Sequence, residues 1–275
     1  MRVLRLKILQ PTAHYRIPFT FARRHTYPIP PYSTIIGLIC NVLGIENQTD
    51  ENFEKLKNGL SLAIYGKYES LNREYVWYRN LNKEAHKSRF SFPENRIIDQ
   101  MPEHPGGQIP TRIDVLENIR LLIYIKHSDE KLLEEMKNAL ENPQKRIYPI
   151  HLGRAEDLVI FETIDIVELK NEKNLLYGKV KNYDFTWLVD SERGRKYLDT
   201  VLNCEAYREF FNKVQGSYHL ITSFYKIVEG IRVFEHIPVK LFEGGSFPFH
   251  FGKPFEFVCD EDIPLFFAKM VYPEV

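Results

Sequence analysis

Apolar positions over residues 1–170 switch repeatedly between the two-residue period of a strand and the 3.6-residue period of a helix. Val3, Leu6, Ile8 and Leu9, interleaved with Arg and Lys, predict a first strand that ends at Pro11. A loop over residues 14–24 follows. Pro28, Pro30 and Pro31 then stiffen the approach to a helix whose Ile35, Ile36, Leu38, Ile39, Val42 and Leu43 share one face. Ser33 reads as its N-cap, and Gly44 as the residue that ends it in a left-handed conformation. A short polar helix over 52–57 and a second strand from Leu60 come next. IRLLIYIKH, from Ile119, predicts a buried strand. Residues 129–142 form an amphipathic helix with Leu132, Leu133, Met136 and Leu140 inward, stopped by Pro143, and LVIFETIDIVEL from Leu158 is a last strand. Strand, helix, strand, strand, helix, strand is the α+β, ferredoxin-like or RRM-like plan, predicted here over residues 1–170.

The regular alternation is interrupted once and changes once. From about residue 70 to 112 aromatic and basic residues mix irregularly, ending in MPEHPGGQIPTR, which predicts a projecting hairpin arm inserted in the domain. Beyond residue 170 the β-rich pieces shorten. A helical stretch over 191–214, two β-rich runs and the aromatic run SFPFHFGKPFEF predict a smaller, mostly-β subdomain over 171–275.

Charge changes this picture more than composition does. The chain of 275 residues balances 37 basic against 37 acidic residues. Its first 45 residues nevertheless hold Arg2, Arg5, Lys7, Arg16, Arg23 and Arg24 and no acid at all. Segregated positive charge is expected of a protein that holds a polyanion on one surface, and equally of a solvated basic face. Cys40, Cys204 and Cys259 are odd in number and far apart, as expected for free thiols in a reducing compartment. No apolar run approaches the length of a membrane span, and the alternating N-terminus is unlike a signal peptide, so the expected location is cytoplasmic. No zinc knuckle, Walker A sequence, metal-binding His motif or nucleophile elbow is present, and no metal or cofactor is expected.

Two motifs narrow the function. TYPIPPYSTIIGLICNVLG leads into the first predicted helix, and YPIHLGRAEDLVIFE lies between the second helix and the fourth strand. Together and in this order they resemble the CRISPR-associated Cas-five family, in a type I-B-like form, over residues 1 to about 170. The resemblance implies a Cascade subunit that caps the 5′ handle of the CRISPR RNA. It further implies contact with the backbone subunit and the large subunit of the complex, near target DNA at the PAM.

Single-stranded RNA is held by cations and N–H donors along its phosphates and by aromatic rings against its bases. Arg16, Arg23, Arg24, His25 and the helix-start amides of Ser33 and Thr34 suit the first task, and Tyr27 and Tyr32 the second. Gly153 and Arg154 form a second candidate grip, although Arg154 could equally pair with Glu156 or Asp157. On the arm, Tyr75, Trp77, Tyr78 and Arg79 could stack on nucleic acid or pack against the hairpin's base.

Two alternatives stay open. One branch of the resembled family cuts CRISPR repeat RNA without metal, using a Tyr with a Lys-His pair. Lys126 and His127 stand at about the place of that pair, but Leu43 occupies the place of the Tyr. The other alternative is a protein-interaction module that does not touch RNA.

Overall fold

The computed structural model describes residues 1–20, 23–79, 97–98, 101–102, 108–172, 183–199, 204–244, 257–261 and 263–273. β1, Arg2–Ala13, runs past the expected stop at Pro11. Its pairing with the neighbour on one side ends at Leu9, so Pro11 lies where that side of the strand is already an edge and a missing N–H is tolerated. β2 (Tyr15–Arg16) and β4 (Thr26–Tyr27) pair with each other, and β3 (Arg23–Arg24) lies between them in sequence.

Helix α1 spans Tyr32–Leu43 and buries Tyr32, Ile35, Ile36, Leu38, Ile39 and Val42. Its N-cap is Pro31, with no side-chain capping bond, so Ser33 does not cap it. Ser33 lies two residues past the cap; its Oγ meets Thr222 Oγ1 at 2.7 Å instead. Gly44 ends the helix at φ 74°, and a side chain there would come within 2.9 Å of the Lys145 carbonyl oxygen. Helix α2 (Glu51–Lys57) is capped by Asp50. β5 (Ser61–Lys67) and β6 (Ser70–Arg79) follow, then the two-residue pair β7 (Ile97–Ile98) and β8 (Met101–Pro102), and the 19-residue β9 (Gln108–Lys126). Helix α3 (Glu130–Glu141), capped by Asp129, buries the four apolar residues expected of it, and β10 (Ile160–Glu168) closes this part of the chain.

After β11 (Lys170–Glu172) and β12 (Phe185–Val189), the helical stretch expected over 191–214 is divided. Asp190 Oδ1 accepts from the amides of Glu192 and Arg193 in a turn, a 3-10 turn covers Arg195–Tyr197, and β13 (Leu198–Asp199) intervenes. Only then does helix α4 (Cys204–Lys213) begin. β14 (Gly216–Val228) and β15 (Ile231–Glu243) form a long hairpin, and β16 (Phe257–Asp260), β17 (Ile263–Leu265) and β18 (Phe267–Lys269) end the chain. Most of the aromatic run from Ser246 lies outside the described residues.

The main sheet runs β10-β1-β9-β5-β12-β15-β14. Strands from both sides of residue 170 therefore share it: β12 pairs with β5 on one side and β15 on the other. The strands after residue 170 are divided: β12, β13, β14, β15 and β18 belong to the main sheet, and β11, β16 and β17 form a three-stranded sheet of their own. One face of the sheet packs on α1, α2 and α3 through Leu6, Ile64, Ile123 and Trp187. The other packs on α4, β16 and β17 through Tyr65, Leu122, Tyr124 and Leu188. Burial on both faces is the physical reason that Leu121–Ile125 reads as one unbroken apolar run. Cys40, Cys204 and Cys259 are free thiols. Among the described residues no helix is long and apolar enough to cross a membrane.

Candidate nucleic-acid interface

β6 and the first half of β9 pair continuously from Ser70 opposite Glu117 to Arg79 opposite Gln108, and they build the lower part of the arm. Successive side chains alternate between faces, and residues directly opposite share one. Arg73, Tyr75 and Trp77 therefore lie on one face with their partners Asp114, Arg112 and Pro110. β3 adds itself parallel to β9 with Arg23 opposite Arg112, which brings Arg23 to the same face. His25 joins it through a 2.7 Å hydrogen bond donated from Nδ1 to Asp114 Oδ2. Tyr75 and Trp77 are 60% and 56% exposed, with ring centroids 6.2 Å apart at 87°. Cations at the foot and exposed rings further along make one continuous surface.

Asp114 lies beneath the cations. Arg23 donates to it at 3.3 Å and Arg73 at 3.4 Å. Burial pushes its pKa up, but the hydrogen bonds of His25 and Arg73 and the charge of Arg23 outweigh this, and the net shift is down. His14 stands behind it, donating from Nδ1 to the Asp114 carbonyl oxygen at 2.8 Å. Its imidazole is buried, which pushes its pKa down.

The opposite face of the arm is tied to the protein body. Glu74 accepts from Arg154 Nη1 at 2.9 Å. Arg154 in turn donates from Nε and Nη2 to Asp157, whose carboxylate is fully buried and also accepts from Thr12 Oγ1 and from the amides of His14 and Arg154. Gly153 has φ 101°, and a side chain there would meet the His14 carbonyl oxygen at 2.8 Å. The close approach that Gly153 permits is to the chain's own backbone, and Arg154 is spent on carboxylates. Neither is free as an RNA grip; Arg154 pairs with Asp157 at 2.8 Å and also with Glu156 at 3.4 Å.

The remaining expected residues divide by exposure. Tyr27 and Tyr32 are buried, Tyr27 edge-on to Trp187 and His219, so neither can stack on a base. The Thr34 amide donates to the Pro31 carbonyl at 3.0 Å, and Ser33 is half-buried against Thr222, which leaves little of the helix start for a phosphate. Arg16 is exposed on β2 and, among the described residues, makes no ion pair. Arg24 is half-buried, and the alternation of β3 turns it to the face opposite Arg23. Tyr78 and Arg79 continue β6, but their side chains lie outside the described part of the structure. The acid-free opening segment is not a bare basic patch, because carboxylates from elsewhere meet it: Arg2 pairs with Glu130 and Glu134, and Arg5 with Asp165 and Asp260.

The polar atoms of Lys126 and His127 meet separate partners. Lys126 Nζ lies 2.9 Å from both carboxylate oxygens of Asp199. His127 donates from Nε2 to the Lys55 carbonyl oxygen at 3.1 Å and accepts at Nδ1 from the Asp129 amide at 2.9 Å, joining the end of α2 to the start of α3. Both ring nitrogens are used. Leu43 is half-buried against the core.

Sequence reasoning missed Arg73, Arg112 and Asp114. The strand alternation through REYVW held the signal for the first, since Arg73 stands two residues before Tyr75 on the same side. Asp114 gave no local signal, because its side-chain partners are 41 or more residues away.

The family pattern of the CRISPR-associated protein (Cas_Cas5) matches residues 3–274. The chain belongs to the Cas5 family. The Cas5 match thus extends through the C-terminal third, beyond the part whose motifs are legible by eye. A chain described as a CRISPR RNA-guided surveillance complex shares the fold with a TM-score of 0.52, 12% identity and coverage of 94% of this chain and 91% of that one. A crystal structure of a Cas protein gives 0.42 at 15% identity, covering 96% and 98% of the two chains. A CRISPR protein from Archaeoglobus fulgidus gives 0.42 at 14% identity, covering 98% and 99%. No curated relative matches the Cas5 chain by sequence.

Proposed function

We propose that this Cas5-family chain is the RNA-binding subunit of a type I CRISPR interference (Cascade) complex, and that it caps the 5′ handle of the CRISPR RNA. The observation that carries this reading is the arm's outer face, where Arg23, His25, Arg73 and Arg112 precede the exposed Tyr75 and Trp77 on adjoining strands. Phosphates suit the cations, and unstacked bases suit the rings; a path with both is what a single strand requires. The strand order β10-β1-β9-β5, with α1 and α3 on one face, supports reading the first part of the chain as ferredoxin-like. Partners in this reading are the CRISPR RNA and the neighbouring backbone and large subunits. A role in cutting the repeat has weaker support, since the atoms of Lys126 and His127 are committed to Asp199, Lys55 and Asp129. The test is to express the chain with its neighbouring genes and a CRISPR array, purify it and sequence the RNA that co-elutes. Handle-containing CRISPR RNA supports the proposal; co-elution of the protein subunits without RNA overturns it.

A further inference from the structure

Two guanidinium groups and one imidazole meet one carboxylate at the foot of the arm, and each spends only part of its hydrogen-bonding capacity there. Arg23 donates to Asp114 from Nε and Nη2, Arg73 from Nε alone, and His25 from Nδ1. Nη1 of Arg23, both terminal nitrogens of Arg73 and Nε2 of His25 have no hydrogen-bond partner among the described residues. The side chain of Asp114 is 5% exposed, whereas those of Arg23, His25 and Arg73 are 41%, 41% and 51% exposed. The carboxylate thus lies under the two guanidinium groups, and their unspent N–H groups lie above it. Two guanidinium cations, Arg23 and Arg73, against one anion also leave the cluster net positive. Arg112, directly opposite Tyr75 and beside Arg23, adds to that surplus.

We propose that Asp114 is a positioning residue that fixes Arg23, His25 and Arg73 as one phosphate-binding set for RNA. This rests on the RNA-binding reading above and names the device by which the foot of the arm works. The physical reason is entropic. A free Arg side chain samples many rotamers and loses them on gripping a phosphate; a guanidinium already held through Nε loses fewer. Its terminal nitrogens then remain aimed outward for a bidentate contact.

The opposite role is also physically sensible and makes the opposite prediction. If Asp114 only neutralised the cluster, it would repel an incoming phosphate, and removing its charge would tighten binding. The sign of the effect of Asp114→Asn therefore decides. Affinity of the full chain for single-stranded RNA carrying the repeat's 5′ handle, measured across a salt series, should fall about tenfold in Asp114→Asn, the loss of roughly one charge-assisted hydrogen bond. That loss should come despite the added positive charge. Asp114→Glu, which keeps the carboxylate, should bind closer to the parent than Asp114→Asn does. Arg73→Ala, an exposed change that does not depend on refolding a buried site, should flatten the log-log salt slope by about 0.7. Asp114→Asn binding as tightly as the parent or tighter, or Arg73→Ala with the parental slope, would overturn the positioning role while leaving RNA binding itself intact. A parent chain that fails to bind the handle RNA would instead overturn the RNA-binding reading, and the positioning role with it.

Discussion

Ser33 Oγ and Thr222 Oγ1 lie 2.7 Å apart, and this bond ties the first turn of α1 to β14 across 189 residues of sequence. The hydroxyl therefore serves tertiary packing and not helix capping. Ser33→Ala is expected to lower stability by about 0.5–1.5 kcal/mol, with RNA affinity unchanged. Ser33→Ala combined with Thr222→Val should cost less than the sum of the single changes, because each removes the same bond. Thermal unfolding of the three variants measures this; strict additivity would contradict the pairing.

Arg154 is the only cation on the fully buried carboxylate of Asp157 among the described ion pairs. Arg154→Ala leaves that charge unpaired and is expected to destabilise the fold by about 3–5 kcal/mol. Glu74→Ala removes only a half-exposed partner and should cost under about 1 kcal/mol. Denaturant unfolding of both variants tests the contrast, and comparable losses would show that the arm contact, not Asp157, is what Arg154 is held for.

The depressed pKa of Asp114 fixes a direction in pH. A carboxylate whose pKa is lower folded than unfolded contributes stability that is present above its unfolded value, about 3.9, and is lost as the pH falls through its folded value. The stability difference between the parent and Asp114→Asn should therefore be largest near neutral pH and shrink as acid is added below about pH 4. Urea titrations at several pH values read this. A difference that grew on acidification would show that the carboxylate is not stabilised by its cations.

Tyr75 and Trp77 stand clear of the core, so replacing them should cost binding and not stability. Each change to Ala is expected to weaken single-stranded RNA binding by about 1–3 kcal/mol if a base stacks there, with an unchanged unfolding temperature. Trp77 fluorescence should be quenched on RNA addition, and a Trp77→Phe variant should lose that quenching. Full affinity in Tyr75→Ala and Trp77→Ala would remove the rings from the RNA path.

His127 joins the Lys55 carbonyl oxygen to the Asp129 amide, and its replacement by Ala breaks both contacts. The variant should unfold about 1–3 kcal/mol more easily. Any RNA processing by the chain in EDTA should be unaffected beyond that loss of folded protein; cleavage abolished in well-folded His127→Ala would restore the catalytic reading.

The elements legible in the sequence were those whose burial has a period. α1 and α3 each present one apolar face to the sheet, so Ile35, Val42, Leu132 and Met136 announced themselves by spacing. β12 was missed because FTWLV is short and buried throughout, and no alternation marks it. Its place in the sheet, which joins the two parts of the chain, depends on pairings with Tyr65 and Leu241 that no local pattern encodes. The interface followed the same rule. Arg23, His25, Tyr75 and Trp77 could be chosen by residue type, but their meeting on one face is a product of β3 docking on β9. Tyr27 and Tyr32 have the same chemistry as Tyr75 and the opposite burial, and only packing separates them.

β9 is one strand of 19 residues that is the central plank of the sheet at one end and a rail of the arm at the other, with Asn118 in a left-handed conformation (φ 50°) between the two. Mechanically the arm is a cantilever whose fixed end is the hydrophobic core. A load applied at its outer end is carried through Asn118, whose φ is 50°, into Leu121–Ile125, which lies between strands on both sides. The same continuity should appear as a gradient of amide hydrogen exchange along a single strand: slow, governed by global opening, near Ile123, and fast, governed by local fraying, towards Gln108.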